Sequence, residues 1–166
     1  LYRRGNFNGT FDQVICDALR KVGDAQISLS PGFRWGTSVL PGQTITMDNV
    51  MDQTCITYPE TYRREMKGSD IKAILEDVGD NLFNADPYYQ QGGDMVRVGG
   101  LDYVCEPNQS IGKRISNMTL DDGTLIEAEK SYMVADYLRD QKQIKIEKLN
   151  TPKLVGVEGN PGNAAG

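Results

Sequence analysis

At 166 residues, 39% hydrophobic and 25% charged, the chain can bury a core of its own and needs no disulfide or metal staple to fold. Its net charge of −5, from 18 Lys and Arg against 23 Asp and Glu, argues against nucleic acid as a partner, and no apolar run approaches the ~20 residues of a membrane span. It contains no histidine, which excludes Ser-His-Asp, Cys-His and histidine-based metal chemistry within these residues.

Phe11, Val14, Ile15, Ala18, Leu19 and Val22 recur at helical spacing, which predicts a helix over 11–22 with one buried face, stopped by Gly23. Residues 26–30 alternate as a short strand that runs into the loop SPGFRWG at 30–36. Ligands gather beyond the carboxyl ends of strands in α/β sheets, so this loop is a candidate site. Thr46 is placed to cap a short helix ending near Gln53, and residues 57–66, rich in Tyr and Thr, read as a strand. Lys67-Gly68 ends that strand. Ser69 is expected to cap a helix whose face is Ile71, Ile74, Leu75, Val78 and Leu82, with Asp70 at its positive end.

Residues 84–94 form a polar, aromatic loop, followed by strands at 95–98 and 101–105. Gly99-Gly100 between them signals a bulge or a close backbone approach. Strands at 115–120 and 124–126 fold around Asp121-Asp122-Gly123 as a hairpin. A strand at 131–135, a helix at 137–141, an edge strand blunted by lysines at 142–148 and a Gly- and Pro-rich tail at 149–166 complete the chain. The sum is a mixed α/β domain of the α+β type, with mainly antiparallel sheets flanked by helices, over residues 1–148. With Leu1-Tyr2-Arg3-Arg4 at its start, the chain reads as a piece of a longer protein.

Arg34 and Trp35 lie in the strand-end loop, where an Arg fork and Gly-turn amides suit an oxyanion. Against this stands a solvated Arg34 stacked on Trp35 or Phe33. Arg97 sits mid-strand between Val96 and Val98 and points to the face opposite theirs, either solvent or a pocket. Tyr88 and Tyr89 either wall a pocket or pack as surface residues. Cys16, Cys55 and Cys105 lack zinc spacing and read as three separate buried thiols, with one disulfide plus a free thiol left open.

The segments RRGNFNGTFDQVICDALR (3–20), SPGFRWG (30–36), ITYPETYRREMKG (56–68) and DPYYQQGGDMVRVGGLDY (86–103) resemble the SoxB thiosulfohydrolases, within the 5′-nucleotidase superfamily. The resemblance implies a C-terminal substrate-binding domain, with an N-terminal metallophosphoesterase domain, absent from this chain, that holds two manganese ions. It implies a periplasmic enzyme that releases sulfate from cysteine S-thiosulfonate on the arm of the SoxYZ carrier. No activity, catalytic residue or metal ligand is then expected of this chain alone. Arg34, Trp35, Tyr89, Asp94, Met95 and Arg97 are the expected substrate contacts. Arg34 matches the nucleotidase arginine that binds phosphate, and Met95 falls where nucleotidases stack a base on Phe. The chain departs from the pattern after Ala135, which runs into Asp136-Tyr137-Leu138 where relatives continue with Gly-Trp and a Pro-rich segment. The alternatives are a 5′-nucleotidase-type phosphohydrolase domain and a non-catalytic binding domain.

Overall fold

The computed structural model describes residues 1–34, 36–55 and 60–136 and the backbone of residues 147–148. Helix α1 (Thr10–Gly23) is followed by β1 (Ile27–Ser30), α2 (Met47–Thr54), β2 (Tyr62–Lys67) and α3 (Gly68–Phe83). A 3-10 turn at Pro87–Tyr89 then precedes β3 (Arg97–Gly99), β4 (Leu101–Cys105), β5 (Ile115–Leu120), β6 (Ser131–Asp136) and β7 (Glu147–Lys148). The α+β expectation holds. One sheet runs β3-β1-β6-β2-β7, parallel only between β1 and β6, and β4 and β5 form a second, antiparallel pair. The short β7 lies at the sheet edge, inside the segment expected to be an edge strand. The helix expected at 137–141 and the tail fall outside the described residues.

Both faces of the large sheet are covered. On one side Ile27, Leu29, Met66 and Val134 pack with Ile71 and Leu75 of α3 and with Leu101, Ile115 and Met118 of the small sheet. On the other side Phe11, Ile15 and Leu19 of α1 pack against Ala135. All four residues of β1 are therefore buried, and its alternating serines face α1 rather than water. The Ser28 hydroxyl donates to the Cys16 carbonyl at 2.8 Å, which satisfies it there.

The structure corrects several details. The buried face of α1 includes Asp12 and Cys16, while Val14 and Val22 are exposed. Thr46 caps α2 in a full capping box with Asn49, as its sequence suggests. Ser69 does not cap α3: the helix already begins at Gly68, and the N–H groups of Gly68 and Ser69 donate to the carbonyls of Lys130 and Ala128. Gly99-Gly100 marks the crossing from the large sheet to the small one. Gly100 has φ +71°, and a Cβ there would collide with the Gln26 carbonyl. The turn at Asp121-Asp122-Gly123 forms with φ +82° at Gly123, but its return arm pairs only through Thr119 and Leu125. The cysteines are free, and Cys55 is exposed rather than buried.

Candidate anion site

The loop after β1 rests on buried cations. Arg3 is 2% exposed, and its Nη2 and Nη1 donate to the carbonyls of Pro31 and Gln53. Its guanidinium lies 5.7 Å from the Phe33 ring centre. Arg97 is fully buried and donates through Nη2 to the Gly5 carbonyl and, at 3.5 Å, to the Phe33 carbonyl. Exposed Arg4 donates to the Gly36 carbonyl at 3.2 Å. Further along, the Asp52 carboxylate accepts from the N–H and hydroxyl of Thr37, which lowers its pKa. Gly32 permits the close packing beneath, because a Cβ there would collide with the Met95 carbonyl and approach Asp94 Cβ at 2.7 Å.

Two buried carboxylates join these arginines. Asp12 Oδ1 accepts from Arg3 Nε at 2.6 Å, and its Oδ2 lies 3.1 Å from Arg97 Nε. The second contact is a charge contact, without the alignment of a hydrogen bond. Asp94 Oδ2 lies 3.5 Å from Arg97 Nη2 and 3.0 Å from Arg34 Nε. The order is Arg3, Asp12, Arg97, Asp94, Arg34, with charges alternating along it. Asp12 also sits in the first turn of α1, where the helix dipole favours a negative charge. The Arg34 side chain is 51% exposed and that of Asp94 only 3%, so the chain of charges surfaces at Arg34.

The expected site residues thus divide by depth. Arg34 is at the surface and Asp94 directly beneath it. Arg97 points away from its valine neighbours, but its face is covered by α1 and is neither solvent nor an open pocket. Met95, expected to meet substrate, is fully buried in the main core of this chain. Tyr89 is exposed, edge-on to Tyr88 with ring centres 5.4 Å apart, and no described contact ties it to Arg34. Trp35 lies outside the described residues. Sequence reasoning missed Arg3 and Asp12. Their signal was two charged residues flanking the start of an amphipathic helix, and such residues are usually solvated.

Manganese is the metal that the resemblance implies. Among the described residues no group of three or more His, Cys, Asp or Glu side chains is placed to hold a metal ion. Asp12 and Asp94 are already occupied by guanidinium groups. The described residues do not fit a manganese centre.

Residues 3–141 match the family model of the 5′-nucleotidase C-terminal domain. Among solved structures, the chain is similar to the sulfate thiohydrolase SoxB of Thermus thermophilus, solved with glycerol. That match has 40% identity and a TM-score of 0.77 over 82% of this chain and 25% of that one. It also resembles a 5′-nucleotidase precursor of Thermus thermophilus, at 20% identity and a TM-score of 0.59 over 82% of this chain and 26% of that one. A putative 5′-nucleotidase of Staphylococcus aureus, solved with alpha-ketoglutarate, matches at 18% identity and a TM-score of 0.60 over 76% of this chain and 26% of that one. The two nucleotidase likenesses speak to fold alone. Among curated protein sequences none matches. The chain spans about a quarter of the length of these solved relatives.

Proposed function

Because the chain belongs to the 5′-nucleotidase C-terminal domain family, we propose that it is the substrate-side domain of a SoxB-type thiosulfohydrolase. On this reading a metallophosphoesterase domain outside this chain holds two manganese ions, and the enzyme works in the periplasm. Its substrate is cysteine S-thiosulfonate on the SoxYZ carrier. Water adds its oxygen to the terminal sulfur, the sulfur–sulfur bond breaks, and the electron pair leaves on the carrier's outer sulfur as sulfate is released.

The observation that carries this reading is Arg34, the exposed cation at the end of a buried alternating-charge chain. A planar guanidinium matches the oxygens of a sulfonate, and negative charge grows on those oxygens as sulfate forms. With Nε held by Asp94, the terminal amino groups of Arg34 are the ones left to meet an anion. The 40% identity to SoxB favours a sulfonate over a nucleotide as that anion.

The test is Arg34→Ala in the intact two-domain protein. Loss of one preorganised oxyanion donor lowers turnover by about 10²-fold, and the unfolding midpoint should stay where it is. Unchanged kinetics on carrier-bound thiosulfonate would remove Arg34 from the mechanism. Turnover of AMP without action on the carrier would replace this reading with a nucleotidase.

A further inference from the structure

We propose that Asp94, itself held by buried Arg97, which Asp12 contacts in turn, is a positioning residue that aims the Arg34 guanidinium at the bound anion. The proposal rests on the reading of Arg34 given above. It assigns a role to three charged groups that touch no substrate.

An arginine at a surface loop has rotamer entropy to lose on binding. Holding Nε 3.0 Å from a carboxylate that is itself 97% buried removes much of that freedom beforehand. A carboxylate so near an anion site also repels the anion, so its net effect depends on what balances it. Arg3, Asp12, Arg97 and Asp94 carry +1, −1, +1 and −1, which sum to zero. The buried part of the chain is therefore neutral, and the surface keeps the full charge of Arg34. Asp94 can orient Arg34 without cancelling it because Arg97 already balances Asp94 from below, at 3.5 Å. The same Arg97 donates to the Phe33 carbonyl, next to Arg34 in the chain, so one buried side chain fixes both the loop backbone and the carboxylate that orients the loop's cation.

The two possible roles of Asp94 give opposite signs. If Asp94 merely lowers the local potential, Asp94→Asn exposes more positive charge and tightens anion binding. If it positions Arg34, Asp94→Asn frees the guanidinium and weakens binding. The experiment measures inorganic sulfate affinity and steady-state kinetics in the intact two-domain protein, for Asp94→Asn, Asp94→Glu, Arg34→Ala and Asp94→Asn with Arg34→Ala. Sulfate affinity should fall about tenfold in Asp94→Asn and less in Asp94→Glu, which keeps the charge one methylene away. Asp94→Asn should add no further loss once Arg34 is Ala. Tighter sulfate binding in Asp94→Asn, or a loss of equal size with and without Arg34, overturns the proposal. Asp94→Glu decides the case if Asp94→Asn does not fold: affinity equal to the parent protein's then counts against positioning. If Arg34→Ala alone leaves sulfate affinity and turnover unchanged, the underlying reading of Arg34 has failed instead.

Discussion

Arg97 Nε and Asp12 Oδ2 meet 3.1 Å apart, with neither side chain exposed to solvent. One comes from the first residue of β3 and the other from the first turn of α1, so this contact ties the sheet to the helix that covers it. Without Arg97 the interior keeps one cation, Arg3, for two buried carboxylates, Asp12 and Asp94, and so holds an uncompensated charge.

Arg97→Ala should therefore destabilise the protein by about 3–5 kcal/mol. The same change leaves the Gly5 and Phe33 carbonyls without their buried donor. Equilibrium unfolding in urea measures the loss. A change below about 1 kcal/mol, the scale of a solvent-exposed pair, would show that the contact is not buried in solution.

Gly32 lies over the Met95 carbonyl, with Asp94 Cβ only 2.7 Å from where its own Cβ would stand. Gly32→Ala must push the loop off the segment that leads into β3 and is expected to cost about 1–3 kcal/mol, the usual range for overpacking. Gly42→Ala, in the following turn, meets no atom within 4 Å but sits at φ +82°, so it tests strain without collision. The Gly32 variant alone should also weaken sulfate binding, because it displaces Asp94. Calorimetry on the two variants separates the effects.

Glu76, 4% exposed on α3, accepts from the N–H groups of Gly112, Arg114 and Ile115. Beside it, the Asn84 amide and then Arg114 hold Asp80 below the usual carboxylate range. Glu76→Ala orphans the buried amides of Arg114 and Ile115 and should cost about 2–6 kcal/mol, at roughly 1–3 for each buried unsatisfied group. Glu76→Gln keeps an acceptor and should cost less. Hydrogen exchange at residues 112, 114 and 115 should quicken in the Ala variant before any global unfolding is seen.

Burial pushes the Cys16 thiol up from 9.0 to about 12, a shift the Ser28 hydroxyl only partly offsets. The folded state then holds the Cys16 proton where the unfolded chain would release it. The sign follows: this contribution to stability is complete below pH 9.0 and is lost as pH rises toward about 12. Alkylation at pH 8 with mass detection should label exposed Cys55 and spare Cys16 until the protein is unfolded. Equal labelling rates for the two would contradict the burial of Cys16.

Local pattern made much of this fold legible. The face of α3 carries the core-packing Ile71 and Leu75 that its spacing anticipates, and Thr46 caps α2 through a side-chain bond formed within four residues. These features depend on neighbours in the chain. The strand-end loop was legible for the same reason, since Pro31 and Gly32 follow β1 directly. The start of α3 was not, because the partners that satisfy its first N–H groups come from residues 128 and 130.

The charged site divides along the same line. That Arg34 stands in a tight loop after a strand, and that no histidine is present to do chemistry here, can be read from the residues alone. The burial of Arg97 and Met95, and the linkage of Asp12 and Arg3 to Arg34 through Arg97 and Asp94, arise from long-range packing. A charged residue next to an apolar run is ordinarily solvated, and nothing in its neighbours shows otherwise. Its burial depends on an opposite charge brought from a distant part of the chain, and that meeting exists only once helix and sheet have packed.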